Sequence, residues 1–281
     1  MTLPALAAGR TAVITGAASG IGWAAARAMA ARGMAVTLID LPGALLDKAA
    51  AGLAANGAKV LAIAADVSDG AALRAAAATV AENLPPVTLL MNNAGMGLPS
   101  STLTNPEVWA ETLGVNLWGV INGTQAFAAA MLAHGNAAMI VNTGSKQGIT
   151  TPPGNPAYNV SKAGIKSYTE ALAHELRNIP GSKVTAHLMI PGWVHTGLTA
   201  ASGAPKPAGA WTPEQAIGFM LASLEGGDFY ILCPDNDVQR VTDEKRIAWA
   251  AGDIIKNRPA LSRWHPDYAE AFKVFLTRDL D

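Results

Sequence analysis

The chain has 281 residues, half of them hydrophobic and 15% charged, and its formal net charge is −1 at pH 7. Such a composition supports a large buried core and argues against disorder, while the near-neutral balance gives no electrostatic footprint for nucleic acid or an anionic membrane surface. A single cysteine, Cys233, excludes an intrachain disulfide and fits a reducing, cytoplasmic setting, and the five histidines lack metal-ligand spacing. Residues 1–10 hold no basic stretch followed by an apolar run, and no unbroken run of ~18 apolar residues occurs later, so neither a signal peptide nor a membrane span is expected.

Residues 11–15, Thr-Ala-Val-Ile-Thr, read as a short buried strand. Gly16, Ser19, Gly20, Ile21 and Gly22 follow in a glycine-rich turn, and an alanine-rich helix over residues 21–32 stops at Gly33. A strand–glycine turn–helix is the context a phosphate cradle needs. Glycine lets backbone N–H groups approach a pyrophosphate, and the helix N-terminus adds positive potential. The plain alternative is a tight turn without a ligand. Strand two, residues 35–39, ends at Asp40, 18 residues beyond Gly22, close to the spacing expected of a carboxylate that binds a ribose hydroxyl. Strand three covers residues 59–64 and runs into Asp66 and Val67; strand four covers 87–91 and runs into Asn92-Asn93-Ala94-Gly95. Helices fit between these strands, so the pattern predicts an α/β fold with a doubly wound parallel sheet.

Asn105-Pro106-Glu107 carries the signals of a helix start, with asparagine as the cap, and the helix is expected to reach residue 133. Asn116 lies in its middle, a poor place for asparagine, where it could bond to backbone and distort the helix. Gly114, Gly119 and Gly123 read as sites of close packing on the sheet. Strand five, residues 138–143, ends at Gly144-Ser145; after a proline-rich loop a long helix carries Tyr158 and Lys162 and runs to residue 177. Strand six, residues 183–190, ends at Pro191-Gly192. Residues 193–211 form a long irregular loop, usually functional in a compact domain. Thr212-Pro213-Glu214-Gln215 has capping-box spacing, residues 229–232 make a seventh strand, and helices are expected at 244–256 and 267–277. One domain over residues 1–281 is predicted, with a core at about 8–235 and a helical appendage at about 236–281.

Tyr158 and Lys162 are four residues apart, so they share a helical face. A phenol is a poor base at neutral pH, and a neighbouring ammonium should lower its pKa toward the working range. Alone, a tyrosine and lysine at this spacing are common on helix surfaces. What strengthens the reading is that the glycine turn, Asp40, Asp66, Asn92, Ser145 and Pro191-Gly192 all fall at the carboxyl ends of parallel strands, where open α/β sheets bind ligands.

Thr15-Gly16-x-x-x-Gly20-Ile21-Gly22, Asn92-Asn93-Ala94-Gly95, Asn116, Ser145, Tyr158-x-x-x-Lys162 and Pro191-Gly192 occur in the order and at the spacing of the short-chain dehydrogenase/reductase family, which the chain resembles over about residues 8–235. The resemblance implies a Rossmann-type sheet of seven strands with helices on both faces. It also implies an NAD-dependent oxidoreductase with a catalytic tetrad of Asn116, Ser145, Tyr158 and Lys162. Carried over position by position, the turn Gly16, Ser19, Gly20, Ile21 and Gly22 holds the pyrophosphate, and Asp40 the adenosine ribose. Asp66 and Val67 flank the adenine, and Asn92, Ala94 and Gly95 lie beside the cofactor. Tyr158 and Lys162 also touch it, and Pro191, Gly192, Val194 and Thr196 close on the nicotinamide end. The resemblance further implies a homotetramer or homodimer.

Tyr158 would give or remove the proton, Ser145 would hydrogen-bond the same oxygen, Lys162 would lower the Tyr158 pKa and hold the ribose, and Asn116 would hold a water linked to Lys162. Asp40, with no arginine in Leu41-Pro42-Gly43 and Ser19 before Gly20, points to NAD(H) over NADP(H). The loop 193–211 offers Trp193, Leu198 and Trp211 and a single cation, Lys206, so a neutral, fairly apolar secondary alcohol or ketone is expected. The alternative from another class is a dinucleotide sensor that binds NAD without turnover. His195 reads as a loop histidine that could face substrate. Lys146 is left outside the site because it neighbours Ser145 on an extended chain. Cys233 reads as a small apolar residue, and Trp249, Trp264 and Tyr268 as packing.

Overall fold

The computed structural model describes residues 3–103, 105–199 and 204–279. Seven strands form one sheet: β1 (Thr11–Thr15), β2 (Ala35–Asp40), β3 (Val60–Ala64), β4 (Val87–Asn92), β5 (Ala138–Thr143), β6 (Val184–Ile190) and β7 (Tyr230–Leu232). They lie in the order β3-β2-β1-β4-β5-β6-β7, and every pairing is parallel. The order reverses between β1 and β4. Connections leave the two strands toward opposite faces there, opening a crevice at their carboxyl ends.

The strands read as continuous apolar runs because both faces are covered. Alternation within them sorts side chains by face. Ala12, Ile14, Leu89, Met91 and Val141 pack with α1 (Gly20–Ala30), α2 (Ala44–Ala55) and α8 (Pro213–Gly226). Val13, Leu90, Ile140 and Ala186 pack on the other face with α3 (Gly70–Asn83), α5 (Gly119–Ala133) and α7 (Pro156–Asn178). The capping box that opens α8 is present in both directions, Thr212 Oγ1 accepting from the Gln215 N–H and Gln215 Oε1 from the Thr212 N–H.

The expected helix over 105–133 is interrupted. Pro106 begins α4 (Pro106–Leu113), but Asn105 sits in the left-handed region at φ 60° and caps nothing with its side chain. A π-helical turn, Gly114–Trp118, then separates α4 from α5. Asn116 lies inside that turn, as its mid-helix position hinted, although its side chain bonds to distant partners. Of the three glycines read as packing sites, Gly123 is the clearest: a Cβ there would lie 2.1 Å from Asn92 Oδ1. Gly114 instead faces the crevice.

After β5 comes a short helix, α6 (Gln147–Thr150). Beyond β7, α9 (Arg240–Ile255) and α10 (Ala269–Thr277) pack on each other around Trp249, which meets the Phe272 ring edge-on at 5.2 Å and carries the Arg258 guanidinium 4.0 Å above its own ring. Trp264 stacks under Arg263 and Tyr268 meets His265, so all three aromatic residues pack within the appendage. Among the described residues, no helix is long and apolar enough to cross a membrane and no cluster could hold a metal ion.

Candidate active site

A cleft of about 650 Å³ opens along the carboxyl edge of the sheet. At one end is the turn between β1 and α1. Gly16 has φ +64°, and a Cβ on it would lie 2.8 Å from Ala94 Cα, so only glycine permits both the conformation and the approach of the β4 loop. That loop is tied to the turn by Thr15 Oγ1, which accepts from the Asn93 and Ala94 N–H groups at 2.9 and 3.1 Å. Asp40 stands at the end of β2. Its Oδ2 accepts from the Ala18 N–H in the turn and its Oδ1 from the Leu41 N–H, each at 2.8 Å. Asp66 and Val67 line the cleft after β3, and Asp66 Oδ1 also accepts from the Ser68 N–H and hydroxyl.

At the other end, α7 presents Tyr158 and Lys162, and β5 delivers Ser145. Lys162 Nζ is buried and donates to the Thr143 carbonyl at 2.8 Å, 5.6 Å from the centre of the Tyr158 ring. Burial without a carboxylate partner pulls the Lys162 pKa down to about 8. Tyr158 differs from the expectation. Burial raises its pKa, and a hydrogen bond with Ser145 opposes the rise. The ammonium that was expected to lower it sits against the Thr143 carbonyl and is itself disfavoured by burial.

Asn116 is fully buried, and both polar atoms of its amide are paired. Its Oδ1 accepts from the Met96 N–H at 2.8 Å, and its Nδ2 donates to the Met96 carbonyl and Ser161 Oγ. A Cβ on Gly95 would lie 3.3 Å from Asn116 Oδ1 and 3.6 Å from Lys162 Nζ, so these three residues adjoin. Asn116 therefore fixes the backbone of the β4 loop beside Lys162.

The structure brings Gly16, Ser19, Gly20, Ile21, Asp40, Asp66, Val67, Ala94, Gly95, Ser145, Tyr158, Lys162, Pro191, Gly192, Val194 and Thr196 to the cleft wall. Three expected residues stand behind it. Asn92 is buried beneath the crevice, where its Nδ2 donates to Thr124 Oγ1 and Asn142 Oδ1, and Asn93 takes its place at the wall. Gly22 packs on the turn, with space for no Cβ beside the Gly16 carbonyl, and Asn116 is bonded to the Met96 backbone. Trp193 and Trp211 do not line the cleft either. Trp211 packs on Phe219 and pairs with Val194, so of Trp193, Leu198 and Trp211 Leu198 is the one at the wall, beside Val194. Residues 200–203 of that loop lie outside the described residues. His195 and Lys146 are not at the wall. Met96, Glu111, Val115 and Thr199 are, and sequence reasoning missed them. Glu111 and Val115 share a helical face with Gly114, the one available signal.

A glycine turn at a switch point, a carboxylate closing β2 and a tyrosine–lysine pair on the facing helix together define a nucleotide-binding oxidoreductase of the doubly wound class. The short chain dehydrogenase model matches residues 10–207, and the chain belongs to that family. It is 41% identical to a galactitol 2-dehydrogenase (L-tagatose-forming) of Cereibacter sphaeroides over 68% of this chain and 74% of that one. It is 30% identical to a 1-deoxy-11-beta-hydroxypentalenate dehydrogenase of Streptomyces exfoliatus over 91% of this chain and 94% of the other. A short-chain dehydrogenase/reductase from Burkholderia phymatum, solved in complex with NAD, superposes with a TM-score of 0.81 at 32% identity, covering 90% of this chain and 96% of its own.

Proposed function

We propose that this protein is an NAD(H)-dependent dehydrogenase acting on a neutral, fairly apolar secondary alcohol or the corresponding ketone. The observation that carries the reading is the convergence of Ser145, Tyr158 and Lys162 at one end of a cleft whose other end holds the glycine turn and Asp40. The residues fit a dinucleotide: turn amides at the start of α1 for the pyrophosphate, Asp40 for the ribose, and Asp66 and Val67 for the adenine. Pro191, Gly192, Val194 and Thr196 suit the nicotinamide end. When bound, the cofactor supplies or accepts the hydride.

Tyr158 holds the proton. Burial keeps the phenol protonated at neutral pH, the state that donates to a carbonyl oxygen on reduction; in alcohol oxidation it must first lose that proton. Ser145 donates a hydrogen bond to the same oxygen and stabilises the charge that develops there. Lys162, with a pKa of about 8, exchanges protons near the working range, which suits a relay behind the tyrosine. The π turn at Asn116 disturbs the regular helical pairing and offers backbone to a water on that relay.

Leu198, Met96 and the Tyr158 ring supply the apolar surface of the substrate end, and no arginine is found among the lining residues. The hydroxylated compounds named for the two dehydrogenase relatives support an alcohol substrate. A single catalytic domain over residues 1–281, working in the cytoplasm as a homodimer or homotetramer, completes the reading. The test is a panel of polyols, steroids, aryl carbinols and hydroxy acids followed by NADH absorbance, with wild type and Tyr158→Phe. The variant should keep its NADH affinity and lose at least ~10²-fold in kcat, the usual size of an acid–base contribution. Wild-type turnover by the variant would remove Tyr158 from the role, and silence of the wild type across the panel would favour the sensor.

A further inference from the structure

Lys146 follows Ser145 but turns away from the cleft into a buried charge cluster. Its Nζ lies 2.5 Å from Asp243 Oδ2 on α9 and 3.3 Å from Asp235 Oδ2 just after β7. Both carboxylates are buried, at 4% and 9% exposure. Arg246, one turn along α9, pairs with the other oxygen of Asp243 at 3.5 Å. Two carboxylates and an ammonium out of water are costly, and removing one partner of such a group leaves the others buried and uncompensated.

The cluster touches both segments that frame the reacting end of the cleft. Asp235 Oδ2 accepts from the Trp193 N–H at 3.1 Å, while its Oδ1 accepts from the Asp237 and Val238 N–H groups. A Cβ on Gly192 would lie 2.6 Å from Asp235 Oδ2 and 2.8 Å from Lys146 Nζ, so the ion pair rests directly on the backbone of a cleft-lining residue. On its other side, Lys146 opens α6, its carbonyl accepting from the Ile149 and Thr150 N–H groups. α6 in turn leans on the backbone of Lys162, where Gly148 leaves space for no Cβ. Ser145 is thus held between the helix that carries Tyr158 and Lys162 and the appendage that carries Asp243.

We propose that Lys146, clamped by Asp235 and Asp243, is a positioning residue through which the C-terminal appendage sets Ser145 and the Pro191–Gly192–Trp193 backbone against Tyr158. The inference rests on the tetrad reading above. It makes the appendage part of the catalytic framework while leaving the adenine end of the cleft independent of it.

The test compares wild type with Lys146→Met/Asp243→Asn, which removes one positive and one negative charge together and leaves Asp235 its three backbone N–H donors. Two readouts are taken: kcat with NAD⁺ and the panel alcohol turned over fastest, and amide hydrogen exchange at residues 145–150 and 192–194 without cofactor. Expected are a kcat loss of about 10-fold or more, since a small misplacement near the chemistry is costly, and faster exchange at both segments. NADH affinity by fluorescence should stay within about threefold, because the adenine-end contacts are untouched. Lys146→Arg, which restores a cation, should recover most of the kcat. Val80→Ala, in the core on α3 away from the cluster and the appendage, lowers Tm without touching either and should leave kcat unchanged. If the double variant fails to fold, Asp243→Asn alone carries the same comparison with Lys146 still paired to Asp235. Unchanged kcat or unchanged exchange in the folded variant overturns the proposal. Ser145→Ala separates the two readings: if it retains full activity the tetrad assignment fails, whereas an inactive Ser145→Ala beside a fully active cluster variant sinks the positioning role alone.

Discussion

Asp40 should make this enzyme discriminate against NADP(H) by charge, and neutralising it should erase the discrimination. Its carboxylate closes β2 with one oxygen on the Ala18 N–H of the glycine turn, so it points at the turn and not into bulk solvent. The cleft lining adds the carboxylates of Asp66 and Glu111, and its one cation, Lys162, is buried against the Thr143 carbonyl at the tyrosine end. A 2′-phosphate placed beside Asp40 would meet negative charge unrelieved. At roughly 5 Å and an effective dielectric of about 20, two unit charges repel by ~3 kcal/mol. Partial solvent exposure and salt screening reduce this to ~1.4–2.8 kcal/mol, about a 10- to 100-fold preference. Asp40→Asn keeps an acceptor for the turn but removes the charge. The measurement is kcat/KM for NAD⁺ and NADP⁺ at fixed alcohol, at low and high ionic strength. Wild type should favour NAD⁺ by that factor, less so in high salt. The variant should come within about threefold of parity, mainly by gaining NADP⁺ activity, and Leu41→Arg added to it should favour NADP⁺ through a charge-assisted phosphate contact. Equal use of both cofactors by wild type would refute the reasoning, as would a variant whose two constants fall together.

Gly123→Ala drives a methyl group into Asn92 Oδ1, whose amide is fixed by Thr124 and Asn142, and should cost roughly 2–3 kcal/mol, lowering Tm by about 3–5 °C in calorimetry; a Tm within about 1 °C of wild type would show that the buried amide can retreat. His187 is held neutral. Its Nδ1 must donate to the Asp228 carbonyl and its Nε2 accept from the Thr185 hydroxyl, and burial lowers its pKa below 6.5. The unfolded chain binds the proton first, so stability should fall as pH drops through 6.5 and keep falling down to the folded-state pKa. His187→Gln should flatten that part of the Tm–pH curve, and an unchanged slope would remove His187 as its cause. Trp118 on the π turn and Val160 on α7 are exposed apolar side chains that suit a subunit interface; light scattering should find a dimer or tetramer, and a stable monomer at micromolar concentration would count against assembly.

Much of this molecule is determined by local pattern. Buried parallel strands must be apolar on both faces, and turns that approach phosphate must be glycine, so the seven strands and the Gly16–Gly20 turn are legible in the chain itself. Tyr158 and Lys162 are equally legible, because helical spacing alone puts them on one face. What lay beyond the sequence is direction at strand ends and solvation. Alternation stops where a strand does, so nothing local says that Asn92 turns inward to Thr124 and Asn142 while Asn93 turns to the turn carbonyls. Burial is a property of the whole packing, and it is burial that raises Tyr158 and lowers Lys162, against the simple expectation from two neighbours on a helix. Lys146 shows the same limit. It is absent from the cleft wall, although its backbone is helical and not extended as expected; its partners lie about 90 residues away, and only the fold could bring Asp235 and Asp243 to it.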